Sequence, residues 1–194
     1  PTNWYRMGDN GSYKSPQWLI PSNENKDKVS NYSFELDGID DYIDLGSGLD
    51  IFQYNIGQSY TVSVWYKSTT STDADTIVNF GSNYYKFSLL TGLNGTISFG
   101  AGATTLIGFV YKWLPTSGAI NDGNWHHICI VQDSSSNTIN LTAYVDGSPS
   151  GSSPGGTGAF VSSNNRIGNG YYSGFEGGLD EVAIWNTALS SSDI

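Results

Sequence analysis

Short apolar or alternating runs, separated by tight-turn dipeptides, restrict the fold of this chain more than any other feature of its sequence. The clearest runs lie at residues 32–36, 60–65, 128–131, 141–145 and 181–185. Turn dipeptides occur at Asp37-Gly38, Asn94-Gly95, Asp122-Gly123 and Asp146-Gly147. Alternation with a period of two is typical of strands with one buried face, and Asn-Gly or Asp-Gly pairs are typical of hairpin turns. The sequence therefore predicts an all-β, antiparallel sandwich or barrel.

The composition supports strands over helices. Ala, Leu, Lys and Glu, which favour helices, are scarce, whereas Tyr, Trp, Phe and Thr, which favour strands, are abundant. With 194 residues, of which 38% are hydrophobic, the chain is long enough for one domain with a buried core. Its single cysteine, Cys129, excludes an internal disulfide and a cysteine-based zinc site. The stretch at 147–158, rich in Gly, Ser and Pro, is predicted to be a long flexible loop.

The chain is acidic, with a formal net charge of −10 from 8 basic and 18 acidic residues. Nucleic acids, heparin-like chains and anionic membranes are bound through basic residues, so the charge argues against them as main partners. The sequence contains no apolar run of the roughly 18 residues that a transmembrane helix requires. We therefore expect no nucleic-acid partner and no membrane insertion.

Five segments occur in the order in which one known family has them. They are F-E-L-D-G-I-D-D-Y-I-D-L at 34–45, Y-T-V-S-V-W-Y-K at 60–67, D-G-N-W-H-H-I at 122–128, L-T-A-Y-V-D-G at 141–147, and I-G followed by G-L-D-E-V-A-I-W-N-T-A-L-S within 167–190. Together they resemble the laminin G-like and pentraxin superfamily, whose fold is the concanavalin A-like jelly roll. The resemblance extends over about residues 32–194.

The resemblance implies a two-sheet antiparallel jelly-roll sandwich in which the first and last strands are adjacent. We expect one laminin G-like domain over residues 1–194, with an N-terminal strand and wrapping loop at 1–31 and the core sandwich at 32–194. Because Pro1 cannot be a natural start, and because such domains usually end near residue 194, we expect the domain to be excised from a larger protein.

Family positions imply structural roles for several conspicuous side chains. Trp65, Trp125 and Trp185 are expected to pack in the core. His126 and His127 are also expected to be structural, because adjacent residues of a strand point to opposite faces and cannot jointly hold one metal ion.

An acidic cluster is the candidate metal site. Asp37 and Asp41 lie in one strand and turn, and the resemblance places Asp180 of the closing strand beside them. Calcium takes about 6–8 oxygen ligands, including carboxylates and backbone carbonyls. We expect a structural calcium ion bound by these three residues. The alternative is that the aspartates accept hydrogen bonds from backbone N–H groups in turns and hold no metal.

Aromatic residues in loops and at strand ends are the candidate ligand site. The tyrosines and tryptophan in question are Tyr84, Tyr85, Trp113, Tyr171 and Tyr172, with Asn83 and Asn169 as neighbouring amides. Sugar rings stack on aromatic faces, and amides form hydrogen bonds with hydroxyl groups. Loops commonly carry binding residues on a rigid scaffold. The loop at 167–174 has no carboxylate, which argues against the calcium-bridged ligand binding of pentraxins.

Catalysis is not expected. Glycosidases need two carboxylates about 5–9.5 Å apart that face one bond. The glucanases of this fold carry Glu-x-Asp-x-x-Glu on one strand, and none of the four glutamates lies in such a pattern.

The leading hypothesis is therefore a non-catalytic carbohydrate-binding or adhesion module. It would recognise glycans through loop aromatics, with a structural calcium ion, on an extracellular protein, a cell surface or a virion surface. The alternative is a structural or protein-interaction module of a surface or virion assembly.

Overall fold

The computed structural model describes residues 3–5, 33–46, 59–72, 74–80, 87–105, 108–134, 140–154, 165–170 and 173–194. These residues form thirteen strands. In chain order they are β1 (Asn3–Tyr5), β2 (Phe34–Asp37), β3 (Ile43–Asp44), β4 (Tyr60–Lys67), β5 (Thr76–Phe80), β6 (Phe87–Thr91), β7 (Ile97–Thr105), β8 (Gly108–Pro115), β9 (His126–Asp133), β10 (Asn140–Val145), β11 (Ser148–Pro154), β12 (Arg166–Ile167) and β13 (Glu176–Trp185).

The strands form two sheets with antiparallel pairing throughout the described ladders. The larger sheet has the order β1-β13-β4-β9-β10-β11, with β2 also paired to β13, and the smaller has the order β3-β12-β5-β6-β7-β8. The last strand pairs with β2 at Gly177↔Leu36 and with β1 at Ala183↔Trp4. The two-sheet antiparallel sandwich is confirmed, and the first and last strands are adjacent, as the resemblance implied.

The core lies between the two sheets and follows from alternation along the strands. On β4, Tyr60, Val62, Val64 and Tyr66 are buried in one hydrophobic cluster with residues of the smaller sheet. Since successive side chains of a strand point to opposite faces, Trp65 faces outward from the same strand. At Trp65 the outer face of the larger sheet is exposed to solvent, whereas Thr61 and Ser63 further along the same face are buried.

The predicted turns are confirmed by backbone conformation. Gly38, Gly95, Gly123 and Gly147 all have φ between 73° and 81°, in the left-handed region that favours glycine. Asp146 also has a positive φ, of 50°, so Asp146-Gly147 forms a two-residue hairpin loop between β10 and β11.

The prediction of a long flexible loop over 147–158 is wrong for its first half. Residues 148–154 form strand β11, which pairs along β10 from Val145↔Ser148 to Asn140↔Pro154. This strand lies at the edge of the sheet, where its prolines are tolerated. Pairing with β10, rather than local composition, determines its conformation.

In the part of the chain that the structure describes, there is no helix long and apolar enough to span a membrane.

Candidate functional site

A groove of about 420 Å³ lies beside the end of the larger sheet where β2, β13 and β4 meet the loop that precedes β9. Its polar lining includes Glu35, Asp37, Lys67, Ser68, Thr70 and Glu176. Four separate segments of the chain thus supply one concave surface. Carboxylates, hydroxyl groups and one ammonium group provide both donors and acceptors of hydrogen bonds.

The Trp125 ring lies beside Gly178 and Lys67, two of the residues that line this groove. The pairing of strands places Glu35, Gly178 and Lys67 side by side in one row. A Cβ atom on Gly178 would lie only 2.9 Å from Cη2 of Trp125, so the ring rests on a position without a side chain. The Lys67 Nζ atom lies 5.9 Å from the centroid of the Trp125 ring, within the range of a cation–π contact.

Two tryptophans are more exposed than expected. Trp65 is 39% exposed and Trp125 is 38% exposed, so the prediction that both pack in the core is wrong. Trp185, the third, is half-buried. The alternation along β4 was the signal that could have identified Trp65, because Val64 and Tyr66 on either side of it face the core.

Trp65 and His127 form an aromatic pair on the outer face of the sheet. The two residues lie directly opposite each other on β4 and β9, and their ring centroids are 5.3 Å apart. His126 is on the opposite side of β9, as the alternation predicts.

The rim of the groove is held by hydrogen bonds around the buried Ser68. The hydroxyl group of Ser68 donates to the carbonyl oxygen of Glu176 at 2.8 Å and accepts from the N–H of Thr70 at 3.0 Å. The N–H of Gly123 donates to the Ser68 carbonyl oxygen at 3.0 Å, and the Asn121 side chain donates to the Thr70 carbonyl oxygen at 3.0 Å. The loop that carries Trp125 is thereby tied to the end of β4.

His126 holds the same loop from its other side. Its Nδ1 lies 2.8 Å from Oδ2 of Asp146, and its Nε2 lies 3.1 Å from Oδ1 of Asp122. Burial lowers the pKa of His126, but hydrogen bonds and charge interactions with both carboxylates outweigh it and raise the pKa. Hydrogen bonds from Asn124, and then from His126, lower the pKa of Asp122 to about 2. The contacts of His126 with the carboxylates of Asp122 and Asp146 fix the backbone directly beside Trp125.

Three exposed aspartates form a group that can hold a metal ion. Carboxylate oxygens of Asp37, Asp40 and Asp41 all lie within 4.8 Å of one another. Oδ2 of Asp41 accepts a hydrogen bond from the Asp37 N–H at 3.2 Å, and Oδ1 of Asp37 accepts one from the Ile39 N–H at 2.8 Å. The carboxylates therefore order the turn, and their remaining lone pairs are available as hard oxygen ligands.

Asp180 is outside this acidic group. The pairing of β13 with β2 places Glu176, not Asp180, opposite Asp37. Asp180 lies four residues further along β13, roughly 13 Å away at the rise of a strand, and is paired with Trp65 of β4. The structure thus brings together Asp37 and Asp41 from the predicted calcium ligands, with Asp40 as the third carboxylate.

Most of the predicted aromatic ligand site falls outside the part of the chain that the structure describes. Its members Asn83, Tyr84, Tyr85, Tyr171 and Tyr172 lie outside the described residues. Trp113 lies on β8 of the smaller sheet, and Asn169, which is half-buried, follows β12 of that sheet. Trp125, by contrast, immediately precedes β9 of the larger sheet, so the groove is a separate candidate that sequence reasoning missed.

Residues 37–194 match the sequence profile of the concanavalin A-like lectin/glucanases superfamily, in its laminin G form. The match covers more than half of the chain, which therefore belongs to this superfamily. No curated protein matches the chain.

Solved structures with the same fold include two that are described in complex with oligosaccharides. Domain 4 of an extracellular arabinanase from Geobacillus stearothermophilus, in complex with arabinotriose, has a TM-score of 0.64 and 23% identity, over 82% of this chain and 73% of that one. The heptameric SAP-like pentraxin of Limulus polyphemus has a TM-score of 0.57 and 17% identity, over 82% and 77%. The CBM40 of the Ruminococcus gnavus IT-sialidase, bound to α2,3-sialyllactose, has a TM-score of 0.57 and 13% identity, over 79% and 94%.

Proposed function

We propose that this chain is a non-catalytic carbohydrate-binding module and that the groove beside Trp125 is its glycan site. The observation that carries the proposal is the exposed indole of Trp125, which lies against the glycine position of β13 at the edge of a polar groove. Structural relatives whose ligands are oligosaccharides support the same class of function, since two of them are described in complex with arabinotriose and sialyllactose.

The groove has the groups that sugar recognition uses. An exposed indole offers a flat apolar surface for the C–H face of a sugar ring. The carboxylates of Glu35 and Glu176 accept hydrogen bonds from sugar hydroxyls, and the Lys67 ammonium donates to sugar oxygens. A few placed polar groups around an apolar contact are what fixes the orientation of a ligand.

The carboxylates of the groove suit binding better than hydrolysis. A glycosidase needs a general acid whose environment keeps it protonated near neutral pH, usually through burial. Glu35 and Glu176 are both exposed to solvent. The chain is therefore proposed to act as a binding module, and single-site affinity is expected to be weak, so that repetition of the module supplies avidity. The proposed location is extracellular, on a cell surface or on a virion surface.

The test is a glycan-array and affinity-electrophoresis screen of the wild-type chain, Trp125→Ala and Tyr42→Ala. Tyr42 is a matched control, because it is 45% exposed but lies outside the groove, with its ring against Arg166. We expect binding to at least one polysaccharide, loss of that binding in Trp125→Ala, and no change in Tyr42→Ala. A folded wild-type chain that binds no glycan and forms a stable oligomer would instead favour the structural or protein-interaction module.

A structural calcium ion is the second part of the proposal, assigned to Asp37, Asp40 and Asp41. Asp40→Asn removes one charge from the group, whereas the hydrogen bonds that order the turn involve Asp37 and Asp41. Asp44→Asn is the control, since Asp44 accepts a hydrogen bond from Gly46 and is outside the group. Calcium is expected to raise the melting temperature of the wild type and of Asp44→Asn but not of Asp40→Asn. Equal melting temperatures of the wild type in calcium and in chelator would rule out the proposed calcium ion.

The tyrosine loops remain a prediction of the sequence. Replacement of Tyr171 and Tyr172 together by Ala tests them in the same screen. If the double tyrosine variant binds glycan more weakly while Trp125→Ala binds it as the wild type does, the glycan site lies in these loops and not in the groove.

A further inference from the structure

We infer that the glycan site continues from the groove across the outer face of the larger sheet to Trp65, and that it accepts an uncharged glycan chain. This inference rests on the proposed function and adds the ligand class and the extent of the site. Two observations carry it: the alignment of two exposed tryptophans on one face, and the sign of the charge around them.

The two tryptophans lie in neighbouring rows of the same outer face. Trp65 and Lys67 are two residues apart on β4, so they share a face and are separated by roughly 7 Å along the strand. A row is the set of paired residues that lie side by side across the strands. In the row of Lys67, the Trp125 ring lies beside Gly178 of the neighbouring strand β13. The row of Trp65 carries His127 on one side.

The spacing of the rows favours a chain over a single sugar. The Trp65 and His127 rings form a pair whose centroids are 5.3 Å apart, so the second row offers its own apolar patch. A single sugar ring stacks on one indole, whereas consecutive units of an oligosaccharide can contact both rows. Affinity should therefore rise with chain length until both rows are covered.

The charge around the two rows excludes acidic sugars. The groove is lined by the carboxylates of Glu35, Asp37 and Glu176, and Lys67 is the only basic residue among its described lining. Burial lowers the pKa of His127, so this ring adds no positive charge near pH 7. A carboxylate or sulfate on the ligand would be repelled by the negative charge of these side chains, in a chain whose net charge is −10.

A basic peptide is the competing occupant of such a surface, because carboxylates beside indole rings also suit lysine and arginine side chains. The membership of the superfamily and the oligosaccharide complexes of its relatives favour a glycan. Binding of oligolysine therefore serves as a contrary outcome in the test.

The first arm of the test compares neutral and acidic glycans. The wild-type chain is titrated with arabinan, xylan, mannan and mixed-linkage glucan, and with polygalacturonate, heparin and sialyllactose. We expect binding only within the neutral group. Glycan binding that is confined to the acidic probes and lost in Trp125→Ala would overturn the inference and leave the proposed function intact. Binding of no glycan, or of oligolysine alone, would overturn both.

The second arm measures chain length on oligosaccharides of two to six units prepared from the neutral polysaccharide that binds. Trp65→Ala should weaken binding of the longest oligosaccharide by about tenfold and leave that of the shortest unchanged. Trp65→Tyr keeps a ring and should restore most of the loss. A Trp65→Ala variant that is folded, by circular dichroism, and that binds every length as the wild type does would overturn the extended site.

Discussion

The two faces of β4 differ in a way that explains both the core and the candidate site. Tyr66, on the inner face, is 1% exposed, whereas its neighbour Trp65, on the outer face, is 39% exposed. Both are large aromatic residues in the same family motif. Residue type therefore does not decide burial for this pair, and the outer face keeps the Trp65 ring in contact with solvent, although Thr61 and Ser63 further along the same face are buried.

The largest expected effect is on the inner face. Tyr66→Ala removes a buried ring whose centroid lies 5.4 Å from the centroid of the Phe175 ring. This substitution should lower the free energy of unfolding by about 3–5 kcal/mol. Burial also raises the pKa of the Tyr66 phenol to about 12, so it remains neutral through the physiological range. Trp65→Ala should lower the free energy of unfolding far less. Chemical denaturation of both variants measures the difference, and equal losses would break the contrast between the faces.

A smaller effect is expected from Gly178→Ala, which should lower the affinity for glycan. The new Cβ would lie 2.9 Å from the Trp125 ring and 3.1 Å from Oε1 of Glu35, so the ring must shift although no contact residue is removed. Glycan affinity should fall by about tenfold, or about 1.4 kcal/mol.

Gly118→Ala is the matched control for this substitution. A Cβ on Gly118 would meet no atom within 4 Å, so its affinity should equal that of the wild type. If Gly178→Ala binds as well as Gly118→Ala does, the position of the Trp125 ring is unimportant for recognition.

The smallest effect is the pH dependence that His126 gives to the loop of Trp125. Because the folded pKa of His126 is raised, its stabilisation is complete below the unfolded pKa near 6.5 and is lost as pH rises through the folded value. The pKa of Asp122, lowered to about 2, gives the opposite sign: that stabilisation is present above the unfolded value and is lost as pH falls towards 2. The wild type should therefore gain stability over His126→Gln between about pH 4 and 6.5, by less than about 1 kcal/mol. Melting curves of both proteins from pH 3 to 9 measure this difference, and a constant difference would contradict the role of His126.

Local chemistry explains why the strands and turns could be predicted. Asp146-Gly147 required two residues with positive φ, and the sequence supplied a pair that tolerates them. The Gly- and Ser-rich β11 could not be predicted, because its conformation depends on pairing with β10 and not on its own residues. Family position predicts burial of the motif tryptophans, whereas the alternation of β4, with Val64 and Tyr66 in the core, places Trp65 on the outer face.

The candidate site was harder to predict because long-range register creates it. Glu35, Lys67, Gly123 and Glu176 come from four segments that are far apart in the sequence. Which of them meet depends on the pairing of β13 with β2 and β4, and a different register would exchange Glu176 for Asp180 beside Asp37. No local pattern specifies that register.

The most direct test of the central claim is an NMR titration with the neutral oligosaccharide that the binding screen identifies. The titration follows the indole N–H resonances of the six tryptophans. The resonances of Trp125 and Trp65 are expected to shift, whereas that of Trp185, which is paired with Thr61 four residues along β4 from Trp65, is expected to stay unchanged. Binding that leaves Trp125 unshifted, with changes confined to other parts of the chain, would contradict the assignment of the groove as the glycan site.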